Sequence, residues 1–344
     1  MVGYEDIRQC SFYHNARPGS RTFVSANQPC IFEELQHRIG KDHLAKRLSL
    51  QVDHSAKYFG KGFGKFHWEN IDFLSQVLEF LLKISGFFSK GERNAAEYEV
   101  VEVNVMLDGL PEPFEGFRIL QLSDIHIDGM SDLGERLIGI IGNLTYDLCV
   151  LTGDFRFHTF GDYGPSLNSM KRLAASIQCR HGILGILGNH DFVEMVPELE
   201  SYGIRILLNE TATIEREGTV IHVLGLDDAH FYGVDELKKA IAGLNANETK
   251  LLLVHSPEII SEASRAGVHY YLCGHTHGGQ ICLPGGIPLL TNANCARAYV
   301  RGAWKYKDMA GYTSRGTGSS GLPVRLNCPP EITLHRLSSR PASS

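Results

Sequence analysis

Five short apolar segments of this sequence each end in residue types that bind metal ions. The first covers residues 117–121 and leads into Leu122-Ser123-Asp124-Ile125-His126. If this segment is a buried strand, the side chains of Asp124 and His126 lie at its carboxyl end and point the same way, because alternate residues of a strand share a face. The four later segments end at Gly153-Asp154, Gly188-Asn189-His190-Asp191, His255 and Gly274-His275-Thr276-His277.

These apolar segments alternate with helical patterns. Helices are predicted over residues 133–144, 167–177 and 234–244. A half-exposed strand, of the kind found at a sheet edge or in a two-sheet sandwich, is predicted over residues 98–107. Such alternation predicts an α/β fold in which helices cover a sheet. Ligands of open α/β sheets bind outside the carboxyl ends of the strands, so the polar segment ends are expected to meet at one edge.

The N-terminal 96 residues are expected to form an arm and an amphipathic helical extension, ahead of a catalytic region at residues 97–344. Residues 1–30 are polar and aperiodic, and helical patterns cover residues 31–50 and 70–90. The second of these patterns carries a stripe of Phe and Leu wider than an ordinary core face.

Two compatible interpretations fit residues 31–90. One is a helical hairpin that packs on the catalytic region. The other is a membrane-surface anchor formed by residues 57–90, because cations and aromatic residues alternate over residues 57–68, just before the apolar helix.

Composition excludes several classes of protein. A formal charge of −6 argues against a general nucleic-acid binder, and no nucleic-acid partner is expected. The eight cysteines include no C-x-x-C pair, which indicates reduced thiols rather than a disulfide framework. The sequence has neither a secretory signal pattern nor an apolar run of 18 residues. A cytoplasmic protein is therefore expected, with peripheral contact to the inner membrane surface if the anchor interpretation holds.

The polar segment ends supply enough ligands for two metal ions. Imidazoles, carboxylates and one amide, without thiolates, suit Mn²⁺, Fe, Zn²⁺ or Co²⁺. Two divalent ions that share a bridging carboxylate are typical of enzymes that hydrolyse phosphoryl groups. The candidate residues are Asp124, His126, Asp154, Asn189, His190, His255, His275 and His277.

In their order and spacing, these motifs resemble those of the calcineurin-like metallophosphoesterases over residues 117–337. The resemblance implies a two-sheet β-sandwich flanked by helices and a dinuclear metal centre. It implies that Asp124, His126 and His277 hold the first metal, that Asn189, His255 and His275 hold the second, and that Asp154 bridges the two. It also implies that His190 acts on the leaving group or the transition state. Asp191, assigned to the catalytic group, either orients His190 or caps a helix.

The run from Gly274 to Gly286 is similar to a branch of membrane-associated phosphodiesterases that includes the UDP-2,3-diacylglucosamine pyrophosphatases of lipid A biosynthesis. This similarity favours a hydrolase of phosphodiester or pyrophosphate bonds with a lipid-linked nucleotide substrate, assayed with manganese. A soluble general phosphodiesterase or phosphatase is the alternative, and a non-catalytic metal-binding scaffold is less favoured.

The tail at residues 292–330 is interpreted as a substrate-side loop, with a solvated loop as the alternative. Arg297 and Arg315 are candidates to bind phosphate, and the backbone of residues 316–321 is a candidate donor. The histidines outside the motifs are expected to be surface or structural residues. Among them are His43, His158, His230 and His335.

Overall fold

The computed structural model describes residues 31–58, 72–289 and 291–340. Within these residues, two six-stranded sheets stack face to face and helices cover their outer faces. The predicted two-sheet sandwich with flanking helices and an N-terminal helical extension is confirmed. Residues 1–30 and most of the basic aromatic stretch at 57–68 lie outside the described residues.

The first sheet has the strand order β1-β14-β2-β3-β4-β5. Strands β2 to β5 are parallel, β14 runs antiparallel to β2, and β1 pairs parallel with β14 at the edge. The predicted half-exposed strand is therefore confirmed, and it lies at the edge of one sheet of the sandwich. The strands are β1 (Glu99–Leu107), β2 (Arg118–Leu122), β3 (Leu148–Thr152), β4 (Ile183–Ile186), β5 (Ile204–Ile206) and β14 (Glu331–Ser339).

The second sheet has the order β12-β13-β9-β8-β7-β6, in which β7, β8, β9 and β13 are parallel. A further short hairpin, β10 (Cys282–Leu283) with β11 (Ile287–Pro288), stands apart from both sheets. The strands of the second sheet are β6 (Glu210–Arg216), β7 (Thr219–Gly225), β8 (Lys250–Leu253), β9 (Tyr270–Cys273), β12 (Gly302–Tyr306) and β13 (Met309–Thr313).

Central strands are apolar throughout because both of their faces are buried. In β2, Ile119 packs between the two sheets, whereas Leu120 and Leu122 pack against the helices outside the first sheet. The second sheet is covered on its outer face in the same way. This burial fixes each strand and therefore the point at which its chain leaves the sheet.

Nine α-helices lie within the described residues. They are α1 (Ile31–Ile39), α2 (Lys41–Tyr58), α3 (Asp72–Ile84), α4 (Phe87–Asn94), α5 (Glu135–Ile141), α6 (Gly164–Ser176), α7 (Val196–Ser201), α8 (Leu237–Ala240) and α9 (Ile260–Arg265). Leu35, Ile39 and Leu44 of α1 and α2 join the core outside the first sheet. The division of the chain at residue 96 stays a prediction.

The two predicted N-terminal helices are each broken by a glycine. Gly40 separates α1 from α2 with a φ of 88°, and Gly86 separates α3 from α4 with a φ of 73°. Glycine adopts this left-handed conformation without a steric penalty, so it ends a helix even where the apolar periodicity continues. The prediction of one helix over residues 70–90 was wrong, because the chain forms two helices there, Asp72–Ile84 and Phe87–Asn94.

The interpretation of residues 292–330 as loop is corrected by the hairpin of β12 and β13, which adds two strands to the second sheet. Trp304 lies across Gly311, where an added Cβ atom would come within 2.2 Å of the indole ring. A glycine in a strand gives a weak strand signal, and here its role is to accommodate the opposite ring.

A polar network joins the two sheets beneath the strand ends. The Tyr270 hydroxyl donates to His335 Nδ1 at 2.7 Å, and His335 Nε2 donates to Gln121 Oε1 at 2.9 Å. The Gln121 amide in turn donates to Thr152 Oγ1 and to the Cys273 carbonyl, each at 3.1 Å. His335, expected to be a surface or structural residue, is fully buried and structural.

Replacing His335 by Gln is expected to weaken the pH dependence of stability. Burial lowers the pKa of His335 to about 3, whereas an unfolded histidine titrates near 6.5. As the pH falls below 6.5, the unfolded chain binds a proton that the folded chain excludes, so folding stability falls. Between pH 7 and pH 5 this residue should account for about 2 kcal/mol of that loss.

Urea denaturation of both proteins at pH 7 and pH 5 measures the effect. The difference in unfolding free energy between the two pH values should be smaller in His335→Gln, whose amide can still donate to Gln121 and accept from Tyr270. An equal pH dependence in the two proteins would contradict a neutral buried histidine at this position.

Candidate metal centre

The candidate ligands lie where the carboxyl ends of both sheets meet. Asp124 and His126 follow β2, Asp154 follows β3, and Asn189 with His190 follows β4. From the second sheet, His255 follows β8, and His275 with His277 follows β9. The eight candidates are buried, as expected for side chains at the ends of central strands.

Five of these residues have an unusual backbone conformation. Asp124, His126, Asp154, His275 and His277 have φ angles between 43° and 69°. Few non-glycine residues adopt positive φ, and such residues cluster at functional sites where the surrounding structure holds them. The strand ends turn sharply here, and the turn directs the side chains toward one another.

A first cluster contains Asp124, His126 and His277, whose potential ligand atoms lie within 4.8 Å of one another. The Nε2 atoms of His126 and His277 are 3.2 Å apart, and His277 Nε2 is 3.5 Å from Asp124 Oδ1. Neighbouring ligands around an ion with bonds of about 2.1 Å have separations of this size.

A second cluster contains Asn189, His255 and His275. Asn189 Oδ1 is 3.0 Å from both His255 Nε2 and His275 Nδ1, and the two ring nitrogens are 3.3 Å apart. A carbonyl oxygen and two imidazole nitrogens that converge this closely form one face of a coordination polyhedron. The donor atoms of both clusters therefore fit a divalent ion.

Asp154 lies between the two clusters. Its Oδ2 atom is 3.7 Å from His126 Nε2 of the first cluster and 3.3 Å from His255 Nε2 of the second. Its Oδ1 atom accepts the backbone N–H of His190 at 2.9 Å. One carboxylate oxygen thus faces both groups of ligands, as a bridging ligand requires.

Backbone carbonyls fix the orientation of three of the imidazoles. His126 Nδ1 donates to the Arg156 carbonyl at 2.7 Å, and His255 Nδ1 donates to the Thr152 carbonyl at 2.8 Å. His275 is turned the other way, since its Nε2 donates to the Asn292 carbonyl at 2.5 Å. Each bond places a proton on the outer nitrogen and directs the inner nitrogen toward the other candidate ligands of its cluster.

Electrostatics also favour a cation at this site. Burial raises the pKa of Asp124 to about 6. Burial opposes ionisation of Asp154 too, but the imidazoles of His255 and His190 hold the pKa of Asp154 well below its usual value. Conversely, burial lowers the pKa of His255, yet the Asp154 carboxylate outweighs it and raises that pKa well above normal. The positive charge of protonated His255 thus balances the negative charge of Asp154. A bound metal ion would supply that positive charge instead.

His190 is anchored by its outer nitrogen. Its Nδ1 donates to the Phe157 carbonyl at 2.7 Å, and its Nε2 lies 3.8 Å from Asp154 Oδ2. The ring of His190 contacts the ring of His126 edge-on, with 4.7 Å between centroids. The inner nitrogen of His190 therefore faces the region between the two clusters.

Asp191 holds the surrounding backbone together. Its Oδ2 accepts the N–H groups of Asp154 at 2.8 Å and Gly188 at 2.9 Å, and its Oδ1 accepts that of Phe155 at 2.8 Å. These bonds support neither of the two predicted roles, orienting His190 or capping a helix. The carboxylate caps no helix, and its bonds go to three backbone N–H groups rather than to the His190 ring. These three bonds tie the Asn189 segment to the Asp154 segment.

Two glycines allow these segments to approach. A Cβ atom at Gly188 would lie 2.2 Å from Asp154 Oδ1, and one at Gly274 would lie 2.1 Å from Asp124 Oδ2. Both distances are far below van der Waals contact. Glycine is therefore required at both positions, because any side chain would collide with the carboxylates of Asp154 and Asp124.

The substrate-binding role predicted for Arg315 is not supported by its contacts. Its guanidinium pairs with Glu331 at 2.5 Å and with Glu99 at 2.8 Å. These ion pairs connect the loop after β13 to β1 and β14, so Arg315 is engaged in the fold. Arg297, the other candidate, is exposed on the short turn Arg297–Tyr299.

The glycine-rich segment at residues 316–321 also differs from prediction. The N–H groups of Thr317 and Gly318 donate to the carbonyls of Ser123 and Asp124 at 2.7 and 2.8 Å. The Ser320 N–H donates to Gln280 Oε1 at 2.8 Å. The first two donors hold the turn that carries Asp124 and the third bonds a side chain, so all three are engaged within the fold rather than directed at a phosphate.

Two residues beside the clusters, His230 and Arg325, were not predicted from the sequence as site residues. The ring of His230 lies 4.1 Å from that of His275, and its Nδ1 pairs with Glu258 at 2.7 Å. Arg325 is fully buried, with Nη2 3.2 Å from His277 Nδ1. The only sequence signal for His230 was its place after the apolar end of β7, in Asp227-Asp228-Ala229-His230.

Comparisons with known proteins agree with this geometry. A family model described as calcineurin-like phosphoesterase matches residues 117–279, a span that includes every residue of both clusters. The uncharacterized metallophosphoesterase YkuE of Bacillus subtilis is 30% identical over 251 residues, covering 70% of this chain and 86% of YkuE. The phosphodiesterase YaeI of Escherichia coli is 29% identical over 235 residues, covering 64% of this chain and 82% of YaeI.

A relative from Danio rerio named transmembrane protein with metallophosphoesterase domain is 30% identical over 262 residues. The match covers 70% of this chain and 57% of that protein. In the described part of the present chain, no helix is both long enough and apolar enough to cross a membrane.

Proposed function

Because this chain belongs to the calcineurin-like phosphoesterase family and is a metal-dependent phosphoesterase, we propose that it hydrolyses phosphodiester or pyrophosphate bonds at a centre of two metal ions. The observation that carries the proposal is the position of Asp154, whose Oδ2 faces His126 on one side and His255 on the other. A single carboxylate between two sets of ligands is what a pair of ions requires.

In the proposed centre, Asp124, His126 and His277 hold one ion, and Asn189, His255 and His275 hold the other. Asp154 bridges them. The ligand types suit Mn²⁺, Fe, Zn²⁺ or Co²⁺. Two such ions supply Lewis acidity to the phosphoryl group and to the attacking water.

His190 is proposed as the catalytic residue for the leaving group. Its Nδ1 proton is committed to the Phe157 carbonyl, so a proton on Nε2 is the one available toward the substrate. Donation of that proton to the departing oxygen, or its charge alone, would stabilise the transition state. Asp191 contributes indirectly, by holding the backbone of Gly188 and Asp154 in register.

A lipid-linked nucleotide is the proposed substrate, and an exposed apolar face on α3 and α4 supports it. The inner side of α3 packs Leu78 and Leu82 against Leu322 and Val324. The outer side leaves large apolar residues in solvent, among them Phe80 at 62% and Ile84 at 69% exposure. The exposed set is Val77, Phe80, Leu81, Ile84 and Phe87.

The hairpin of β10 and β11 carries a second group of exposed apolar residues. Leu283, Ile287 and Leu289 are exposed, and the hairpin follows directly after the turn that contains His277. Ile281, at the base of the hairpin, pairs with Leu326, and both contact the cluster under α3. Contiguous exposed apolar residues are typical of a membrane or ligand surface. Peripheral membrane contact near the active site is therefore part of the proposal.

Hydrolysis of two substrates tests the proposal. Mn²⁺-loaded protein is given detergent-dispersed UDP-2,3-diacylglucosamine, with bis(p-nitrophenyl) phosphate beside it, and release of UMP or nitrophenol is followed. Faster turnover of the lipid-linked substrate is expected. Turnover of the small diester alone would retain the enzyme class and remove the lipid-linked substrate, and no turnover of any phosphodiester or pyrophosphate would contradict the proposal.

The double substitution Phe80→Ser and Ile84→Ser is expected to slow the lipid-linked reaction about tenfold, because it removes two apolar contacts with the lipid phase. The small-diester rate should be unchanged. Val52→Ser is the control, since Val52 is 66% exposed on α2 and belongs to neither α3 nor α4. Equal losses on both substrates would show that the apolar face does not serve substrate binding.

A further inference from the structure

Helix α2 of the N-terminal extension carries a buried arginine that contacts the segment after β4, directly beside the candidate metal ligands. Arg47 is fully buried, and its Nη1 pairs with Asp227 Oδ1 at 2.7 Å. Its Nη2 donates to the backbone carbonyl of Asp191 at 2.8 Å. One guanidinium therefore joins three parts of the fold: the N-terminal helix, the end of β7 and the segment that carries Asn189 and His190.

Gln51 makes a second connection one helical turn further on. Its Oε1 accepts the N–H of Val193 at 3.1 Å, and its Nε2 donates to Glu194 Oε2 at 2.7 Å. Residues four apart lie on the same side of a helix. One side of α2 thus contacts residues 191, 193 and 194, directly after the proposed metal ligand Asn189 and the proposed catalytic His190.

The contact continues from Asp191 into the centre itself. The backbone carbonyl of Asp191 is held by Arg47, while its carboxylate holds the N–H of Asp154, the proposed bridging ligand. The path from α2 to Asp154 therefore consists of two hydrogen bonds through one residue. A shift of α2 would displace Asn189, His190 and Asp154 together.

Asp227 is itself rigidly placed. Its Oδ2 pairs with His43 Nε2 at 2.8 Å, and its backbone N–H donates to Asn209 Oδ1 at 3.1 Å. A buried ion pair adds little stability compared with an apolar pair of the same volume, because both charges lose their hydration. Its two fixed hydrogen-bond directions specify geometry, which an apolar pair does not.

We propose that Arg47 and Gln51 are positioning residues of the metal centre, so that helix α2 completes the active site from outside the family-matched region. The inference rests on the proposed function. Arg47 and Gln51 set the affinity of the metal site that contains Asn189, and they set the turnover rate. These effects are separate from any effect of the two residues on the stability of the fold.

Substitution of two arginines separates positioning from stability. Arg38 on α1 is the control, since it also joins the extension to the domain through half-buried ion pairs, with Glu200 at 2.8 Å and Glu210 at 2.7 Å. Those partners lie outside residues 188–194. Arg47→Met and Arg38→Met are compared for Mn²⁺ affinity by chelator competition, for kcat and KM on bis(p-nitrophenyl) phosphate, and for thermal unfolding.

Arg47→Met is expected to weaken the second Mn²⁺ ion and lower kcat, each by about tenfold or more, because loss of support behind a ligand has effects of this size. KM should change little. Arg38→Met should lower the unfolding temperature without changing metal affinity or kcat. Arg47→Lys, which keeps the charge but lacks the planar fork, should fall between wild type and Arg47→Met.

Gln51→Met provides an independent variant if Arg47→Met fails to fold. It removes both bonds to residues 193 and 194 without leaving a buried charge unpaired, and a several-fold loss of metal affinity is expected. Wild-type metal affinity and kcat in Gln51→Met and Arg47→Lys would overturn the inference, as would equal losses in Arg38→Met. A wild-type protein that binds no metal would instead overturn the proposed function.

Discussion

Replacement of His190 by Ala is expected to reduce kcat for phosphodiester hydrolysis by about 10³-fold, within the range for loss of a general acid. Both metal ions should remain bound. Within each cluster the candidate ligand atoms already lie close to one another without His190. His190 lies beside the clusters with its outer nitrogen bonded to the Phe157 carbonyl, so its removal should leave both sets of ligands in place. The loss should be larger for a diester with an alkoxide leaving group than for one with nitrophenolate, which departs without a proton.

His158→Ala is the matched control for that experiment. His158 is an exposed histidine in the loop after β3, next to the Phe157 whose carbonyl bonds His190, and its ring packs edge-on against Phe157 with 5.0 Å between ring centroids. Its removal should leave kcat close to the wild-type value. Loss of metal from His190→Ala, measured by elemental analysis, would refute the assignment of His190 to the leaving group and make it a ligand.

Asp154→Asn is expected to have the second large effect. The amide keeps an oxygen for the His190 N–H but loses the negative charge that faces both clusters. At least one ion should be lost, and kcat should fall by about 10³-fold or more, because the metal ions supply several kcal/mol of transition-state stabilisation.

Asp162→Asn is its control, as Asp162 is an exposed carboxylate that accepts the backbone N–H of Gly164 at 2.9 Å near the start of α6. It should retain full metal content and turnover. If Asp154→Asn kept two tightly bound ions, the bridging role would be wrong even though the residue lies between the clusters.

The candidate ligands were accessible from sequence because each one leaves a local mark. A buried strand gives an apolar run, and the chain must then turn at its carboxyl end, so Asp124 and His255 stand at recognisable places. The glycines before Asp154 and after Cys273 add to the pattern. The local pattern does not show that strand ends from two different sheets meet at one site. That part of the prediction came only from the resemblance of the motif order to a known family.

Arg315 shows where local evidence misleads. Beside Gly316 it has the sequence appearance of a phosphate-binding residue, yet Glu331 lies 16 residues away and Glu99 lies 216 residues away. No pattern in its own segment indicates these partners. An ion pair over such a separation is set by the pairing of β1 with β14, which sequence periodicity does not specify.

Arg47 is the opposite case, a functional candidate that looked ordinary. In the sequence it is one of several cations on an amphipathic helix, where a solvated position is the usual outcome. Its partner Asp227 is 180 residues away. The helical pattern of residues 31–50 correctly predicted helical structure there. It could not show which face of α2 is buried, because that face is defined by contacts with the distant segment after β4.

The most direct test of the dinuclear centre is the metal content of the purified protein, measured together with its phosphodiesterase activity. The protein is stripped with a chelator, titrated with Mn²⁺ and assayed with bis(p-nitrophenyl) phosphate at each step. Two ions per chain are predicted, with activity absent from the stripped protein and restored as the second ion binds. Hydrolysis by the metal-free chain, or full activity with a single ion, would contradict the account.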